Sequence, residues 1–232
     1  MNGYYSIAID GPSGAGKSSL ARRLAEEFGF IYVDTGAIYR TVGLAALRAG
    51  IDRRDPKAVS AMLPGLEIRM GYNEAGEQRM YLDGEDVSEE IRLPEVSICA
   101  SDVSALQLVR DYLMEMQRRM AREHNVIMDG RDIGTVVLPE AELKIFLTAS
   151  PAARARRRLL ELEKKGQSVS LEEVLRDIEY RDRQDSDRAA APLRRAEDAV
   201  LVDTSDIDFD ESLALLTELV INTLAAEAED EG

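Results

Sequence analysis

Apolar residues fall along this chain in two rhythms. Short runs that are almost wholly apolar or β-branched occur at Tyr5–Asp10, Phe30–Asp34, Asn125–Asp129, Leu143–Ala149 and Ala199–Thr204. This is the pattern of strands covered on both faces in a parallel sheet. Between them apolar positions recur at helical spacing, as Leu20, Leu24 and Phe28 do before Gly29 ends the segment. Further helices are expected over 37–50, from about Glu95 to Glu123, after Ser150 and Pro151 as N-cap and first-turn proline, and over 210–229. Five strands separated by helices predict an α/β fold with a doubly wound, five-stranded parallel sheet. Two more strand-like runs, LEIRM and QRMYLDG, flank the turn-rich YNEAGE and read as a hairpin inserted at 66–87. The last residues, 226–232, are acidic and expected to fray.

Composition narrows the chemistry. The chain has 232 residues, 45% of them hydrophobic, enough for the core of one large α/β unit. Its formal charge is -15, which argues against a general nucleic-acid partner. The charge is uneven: residues 199–232 carry ten acidic and no basic side chains, whereas 1–49 and 150–198 each come to +1. Chemistry on anions therefore belongs in those two segments. One cysteine, Cys99, permits no internal disulfide, and no charged region followed by an apolar core opens the chain. A cytoplasmic protein without a membrane segment is expected. A single histidine, His124, leaves little material for a Ser-His-Asp triad or a histidine-based zinc site.

Gly11-Pro12-Ser13-Gly14-Ala15-Gly16-Lys17-Ser18, followed by Ser19, fits G-x-x-x-x-G-K-[ST] between an expected strand and an expected helix. In such a loop glycines let backbone N–H groups surround a phosphate. The lysine reaches the β- and γ-phosphates, and the hydroxyl of Ser18 can sit on Mg²⁺. The expected donor is ATP or GTP. Motors, switches, transporters and small-molecule kinases all use this loop, so the acceptor must be read elsewhere. Asp34-Thr35-Gly36-Ala37-Ile38-Tyr39-Arg40 and Asp129-Gly130-Arg131-Asp132 both stand at carboxyl ends of expected strands, where ligands bind in open α/β sheets. An aspartate there is also a common helix cap. Arg154, Arg157 and Arg158 share one face of the helix after Pro151, and Arg181, Asp185 and Arg188 share another face further on. Solvated surface charge is the plain alternative, with Arg181 and Asp185 as an intrahelical pair. Their place in a locally non-acidic segment favours phosphate binding.

Taken together, IDGPSGAGKSS, DTGAIYR, DGRDIGTVV, KIFLTAS and RDRQDSDRAAAPL make the chain resemble the bacterial cytidylate kinase family, whose members move a phosphoryl group from ATP to CMP or dCMP. The resemblance spans most of the chain. It implies a single P-loop kinase domain with its core at about 1–35, 96–150 and 170–225. A monophosphate-binding insert at about 36–95, which includes the hairpin, and a helical lid at about 151–169 would complete it. A kinase for another small acceptor, such as UMP or shikimate, is the alternative of the same class.

The resemblance also implies roles. Ser101, Arg110 and Asp132 would hold the cytosine base, and Thr35, Arg40, Arg131 and Arg188 the acceptor phosphate. Arg181 and Asp185 would lie around the sugar and that phosphate, with Asp129 and Gly130 in the same CMP-binding set. Lys17, Arg131, Arg154, Arg157 and Arg158 would form the catalytic set, the last three from the lid. Mg²⁺ would enter with ATP at Ser18. The expected partners are small molecules, ATP and CMP or dCMP, with no nucleic acid, no membrane and a monomeric state.

Overall fold

The computed structural model describes residues 3–164 and 166–230. In chain order the first elements are β1 (Ser6–Asp10), α1 (Lys17–Phe28), β2 (Ile31–Asp34), α2 (Thr35–Arg48) and α3 (Pro56–Met62). There follow β3 (Ile68–Tyr72), β4 (Gln78–Leu82), β5 (Glu85–Asp86), α4 (Pro94–Ser104) and α5 (Gln107–Glu123). The remainder is β6 (Val126–Gly130), β7 (Leu143–Thr148), α6 (Pro151–Lys164), α7 (Leu171–Asp187), β8 (Val200–Asp203) and α8 (Phe209–Asp230). Contacts gather into two compact units, Val33–Arg122 and the segments flanking it, with the division inside β2.

The flanking segments hold the main sheet, ordered β2-β6-β1-β7-β8, and its five strands are the five expected from the apolar runs. The ladders of β1 with β6 and β7, and of β7 with β8, are parallel. All five residues of β1 are buried, as are all five of β6, which explains why these strands read as continuous rather than alternating runs. Ile7 and Ile9 of β1 pack with Ile127, Ile145 and Leu147 of its neighbours, against Leu20 and Leu24 of α1 and Leu216 and Val220 of α8. Each such side chain contributes about 1.5–3 kcal/mol when removed from water. Parallel pairing sets Ile9 opposite Asp129 and Asp10 opposite Gly130, so the carboxyl ends of β1 and β6 emerge side by side. A smaller cluster of Ala155, Val174 and Ile178 joins α6 to α7. The start of α7 carries a capping box, Ser170 with Glu173.

The unit Val33–Arg122 packs α2 on α4, with a separate antiparallel sheet β3-β4-β5. A Cβ on Gly43 would stand 2.7 Å from the backbone nitrogen of Ala100, so the absent side chain is what lets α2 and α4 approach this closely. Three features differ from the expectation. The hairpin gains a third strand, the exposed pair Glu85–Asp86. Residues 56–62 form α3, capped by Asp55, whose carboxylate accepts the Lys57 N–H. The expected helix from Glu95 to Glu123 breaks after Ser104, where two side chains compete with the helical ladder. The Ser104 hydroxyl donates to the Ser101 carbonyl, and the Ser104 carbonyl accepts from Nη1 of Arg110 at 3.1 Å. At the other end of the chain α8 runs through Asp230. Residues 231 and 232 lie outside the described residues. Among the described residues no helix is long and apolar enough to cross a membrane.

Candidate active site

The loop between β1 and α1 holds its shape through backbone conformations that residues with side chains rarely adopt. Gly11, Gly14 and Gly16 have φ of +148°, +76° and +93°. Gly16 is the N-cap of α1 and no side chain caps that helix, the arrangement in which a helix N-terminus offers its amides to an anion. Lys17 is buried, with its ammonium donating to the Pro12 carbonyl at 2.9 Å, so it folds back across the loop. Burial pushes the Lys17 ammonium well below its ordinary value, aided by the charge of Arg131 and opposed by Asp129, Asp10 and Asp185.

Ser18 donates its hydroxyl to Oδ2 of Asp129 at 2.9 Å, and the Tyr32 hydroxyl donates to Oδ1 of the same carboxylate at 2.8 Å. Asp129 is thus fixed from both sides at the end of β6. The sequence placed it with the CMP set; the structure sets it against the hydroxyl expected to meet Mg²⁺. The next residue but one, Arg131, donates from Nε to Oδ2 of Asp185 at 2.7 Å and from Nη1 to the Gly130 carbonyl. Burial works against the Arg131 charge, but the charge of Asp185 and its hydrogen bond hold the guanidinium above its ordinary value. Asp185 therefore pairs 54 residues away, and the intrahelical partner of Arg181 is Asp177, at 3.6 Å.

Asp132 is buried, and Nη2 of Arg188 lies 3.6 Å from its Oδ1 while Nε of Arg188 donates to the Ala191 carbonyl. The side chain of Asp132 does not cap the short π turn Ile133–Val137 that it precedes. The two amides at the start of that turn go to Asp10, which accepts Ile133 N–H on Oδ1 and Gly134 N–H on Oδ2, both at 2.8 Å.

The three arginines of α6 expected in a lid have separate environments. Arg154 is buried and donates to the carbonyls of Ala149 and Ser13 and, through both terminal nitrogens, to Asp182 of α7. It thereby ties the P-loop to two helices. Arg157 donates to the Thr204 hydroxyl and to the carbonyls of Thr204 and Ile207. Arg158 is exposed and pairs with Glu161 one turn along α6.

In the unit Val33–Arg122, Asp34 caps α2 by accepting the Ala37 N–H, and its other oxygen accepts from Nη2 of Arg40 at 2.8 Å. Gly36 makes room for this fold-back: a Cβ there would lie 2.9 Å from Nη1 of Arg40. Thr35 is buried in the first turn of α2. Arg110 is 1% exposed and lies over the Tyr39 ring at 5.3 Å, while Ser101 is exposed on α4. Asp10, Tyr32, Tyr39 and Asp182 were not singled out from the sequence. Asp10 alone carried a signal, being an aspartate at a strand end like Asp34 and Asp129. The partnerships of the other three depend on which segments the fold brings together.

Among known proteins, the family model for cytidylate kinase matches residues 7–222. The cytidylate kinase of Caldicellulosiruptor bescii is 50% identical over 92% of this chain and 94% of its own length. That of Syntrophotalea carbinolica is 48% identical over 95% and 93%, and that of Geobacter sulfurreducens 50% over 92% and 91%. Identity at this level across nearly whole chains accounts for the P-loop, the strand-end aspartates and the arginine-rich helices together: the chain belongs to the cytidylate kinase family.

Proposed function

We propose that this chain transfers the γ-phosphoryl group of ATP to CMP or dCMP, releasing ADP and CDP or dCDP. The observation that carries the reading is the built P-loop, with Lys17 folded over the loop and Ser18 on Asp129, in a chain of this family.

Nucleotide-dependent phosphoryl transfer needs charge neutralised and reactants positioned more than it needs proton transfer. The second ionisation of a phosphate monoester lies near roughly pH 6, so the attacking oxygen of CMP is already largely ionised at neutral pH. No general base is required, in keeping with a chain holding one histidine. Lys17 reaches the β- and γ-phosphates of ATP, and the loop from Gly11 to Ser19 cradles them. Arg131 and the lid arginines 154, 157 and 158 neutralise the equatorial oxygens of the transferring group.

Ser18 and Asp129 are hard oxygen donors already in contact, which fits Mg²⁺. Among the described residues no group of three or more His, Cys, Asp or Glu could hold a metal ion, and phosphate oxygens and water would complete the set around Ser18. When bound, the ion neutralises charge on the β- and γ-phosphates.

Thr35, Arg40, Arg131 and Arg188 take the acceptor phosphate, and Arg181 and Asp185 the sugar and its phosphate side. Ser101, Arg110 and Asp132 read the base, and Asp129 and Gly130 belong to the same CMP-binding set. Cytosine offers an amino donor to a carboxylate and two acceptors to a guanidinium. Uracil reverses the first two of these polarities, and a desolvated site of this kind rejects the mismatched base by on the order of 10⁴.

A coupled ADP-release assay offering CMP, dCMP, UMP, AMP and GMP in parallel tests the reading. Turnover with CMP and dCMP well above that with AMP and GMP is expected. Preference for a purine nucleotide, or turnover independent of acceptor, would overturn it.

A further inference from the structure

The turn Ile133–Val137 is closed by main-chain bonds from Val136 and Val137 to the Asp132 carbonyl and from Leu138 to that of Ile133. Like any helical turn it begins with amides that need acceptors from outside. The residue placed to supply one is Asp132, at the N-cap position, and aspartate is among the best caps. Here it does not cap. Asp10 does so from the end of β1, one oxygen to Ile133 N–H and the other to Gly134 N–H. The β1–β6 register, with Asp10 opposite Gly130, holds its carboxylate beside the turn, and it is 5% exposed. The fit is close, since a Cβ on Gly134 would stand 3.5 Å from Oδ2 of Asp10 and 3.2 Å from the Lys144 side chain.

We propose that Asp10 is a positioning residue for base selection: by capping the turn from the neighbouring strand, it fixes the backbone of Asp132 and keeps the Asp132 carboxylate for the amino group of the pyrimidine. This rests on the reading of Asp132 as a base contact. Without the Asp10 carboxylate, two buried amides lose their acceptors. Asp132 is then the carboxylate in N-cap position to take one of them, and in doing so it turns from the base toward its own backbone.

The test compares steady-state kinetics of wild type, Asp10→Asn, Asp132→Asn and the double variant with CMP and UMP. Asparagine at position 10 keeps the size but offers one acceptor and one opposing N–H₂, so it half-caps the turn. For Asp10→Asn the ratio of kcat/KM for CMP to that for UMP is expected to fall roughly tenfold or more, with the KM for ATP changed by less than about threefold. In the Asp132→Asn background the same substitution is expected to leave the ratio where it stands, because its effect passes through Asp132. An unchanged ratio in Asp10→Asn, a proportional loss of both activities, or a fall that adds in full to that of Asp132→Asn would overturn the proposal. Should Asp132→Asn itself leave the ratio unchanged, the base-contact reading fails first. Should it relax the ratio while Asp10→Asn does not, only the role of Asp10 fails. Gly134→Ala, which crowds the turn while keeping the carboxylate, is the second variant if Asp10→Asn does not fold. A lower ratio in it supports the proposal, and an unchanged one counts against it.

Discussion

The hydroxyl of Ser18 meets Oδ2 of Asp129 at 2.9 Å, joining the first turn of α1 to the end of β6. The contact exists because β1 and β6 run parallel and in register, so the P-loop leaving one strand passes the last residues of the other. The serine hydroxyl thereby stands beside the loop whose phosphates would be a bound cation's charge partners.

Asp129→Asn should therefore act on the metal dependence before it acts on the fold. An asparagine can still accept from Tyr32 while presenting its N–H₂ to Ser18, so the denaturation midpoint should shift little. The Mg²⁺ concentration for half-maximal rate should rise by roughly 10–100-fold, the range expected when a metal-site partner is removed. Ser18→Ala should do the same, and the double variant should fall short of the product of the two because both act on one ion. Magnesium titrations of the coupled assay decide this; an unaltered titration curve in Asp129→Asn would separate Asp129 from the metal.

The α6 arginines proposed for the lid should divide by environment. Arg154 is buried, with Asp182 and two carbonyls as its partners, so Arg154→Ala strands a carboxylate and should cost about 3–5 kcal/mol in urea unfolding. Arg158 is exposed with a single partner one turn away, and Arg158→Ala should change stability by no more than about 0.5 kcal/mol. If Arg158 acts on the transferring group, kcat should still fall by roughly tenfold or more while the KM for ATP moves little. A kcat equal to that of wild type would take Arg158 out of the lid set.

What the sequence made legible follows the range of the interactions. The five core strands announce themselves as short apolar runs, buried throughout in β1 and β6, and the P-loop because its chemistry lies within eight consecutive residues. β5 and α3 are hidden: the first is an exposed Glu-Asp pair, the second a seven-residue helix with one buried side chain, Val59. Arg181 and Asp185 have the spacing of partners, yet Asp185 goes to Arg131 because α7 brings it to the end of β6. The capping of the turn after Asp132 by Asp10 is beyond any local pattern, since 123 residues separate Asp10 from Ile133. Local spacing ranks the residues able to do chemistry, and the register of β1 with β6 decides which of them meet.

Two loop glycines with positive φ should respond very differently to alanine. A Cβ on Gly11 would fall 1.9 Å from the Leu147 carbonyl oxygen, inside the β1–β7 neighbourhood where both backbones are fixed by the sheet. On Gly14 the same atom would meet only the Arg154 side chain, its Cβ at 3.5 Å and its Cγ at 4.0 Å. Gly14→Ala should cost about 1–2 kcal/mol, the penalty of left-handed backbone alone. Gly11→Ala adds a clash that only strand separation can relieve, and should cost more than about 4 kcal/mol or prevent folding. Parallel urea titrations test the ordering, and equal losses would mean that the strand end yields more easily than its pairing implies.

Asp10 also gives stability a pH dependence of definite sign. Burial pushes its carboxyl from 3.8 up to about 6, against the two amides of Gly134 and Ile133, with Asp132 adding to the rise and Lys17 opposing it. The folded state therefore holds this proton more tightly than the unfolded one. That contribution is complete below about pH 4 and is lost as pH rises through about 6. Between pH 4.5 and 7 it amounts to about 2 kcal/mol. Asp10→Asn removes it, so the stability of wild type minus that of the variant should be about 2 kcal/mol more favourable to wild type at pH 4.5 than at pH 7. Urea unfolding at the two pH values measures this difference of differences directly. Every other titratable group in the chain cancels in the subtraction unless it interacts with Asp10, as Asp132 and Lys17 do. A difference independent of pH would mean that the two amides outweigh burial and keep Asp10 ionised throughout.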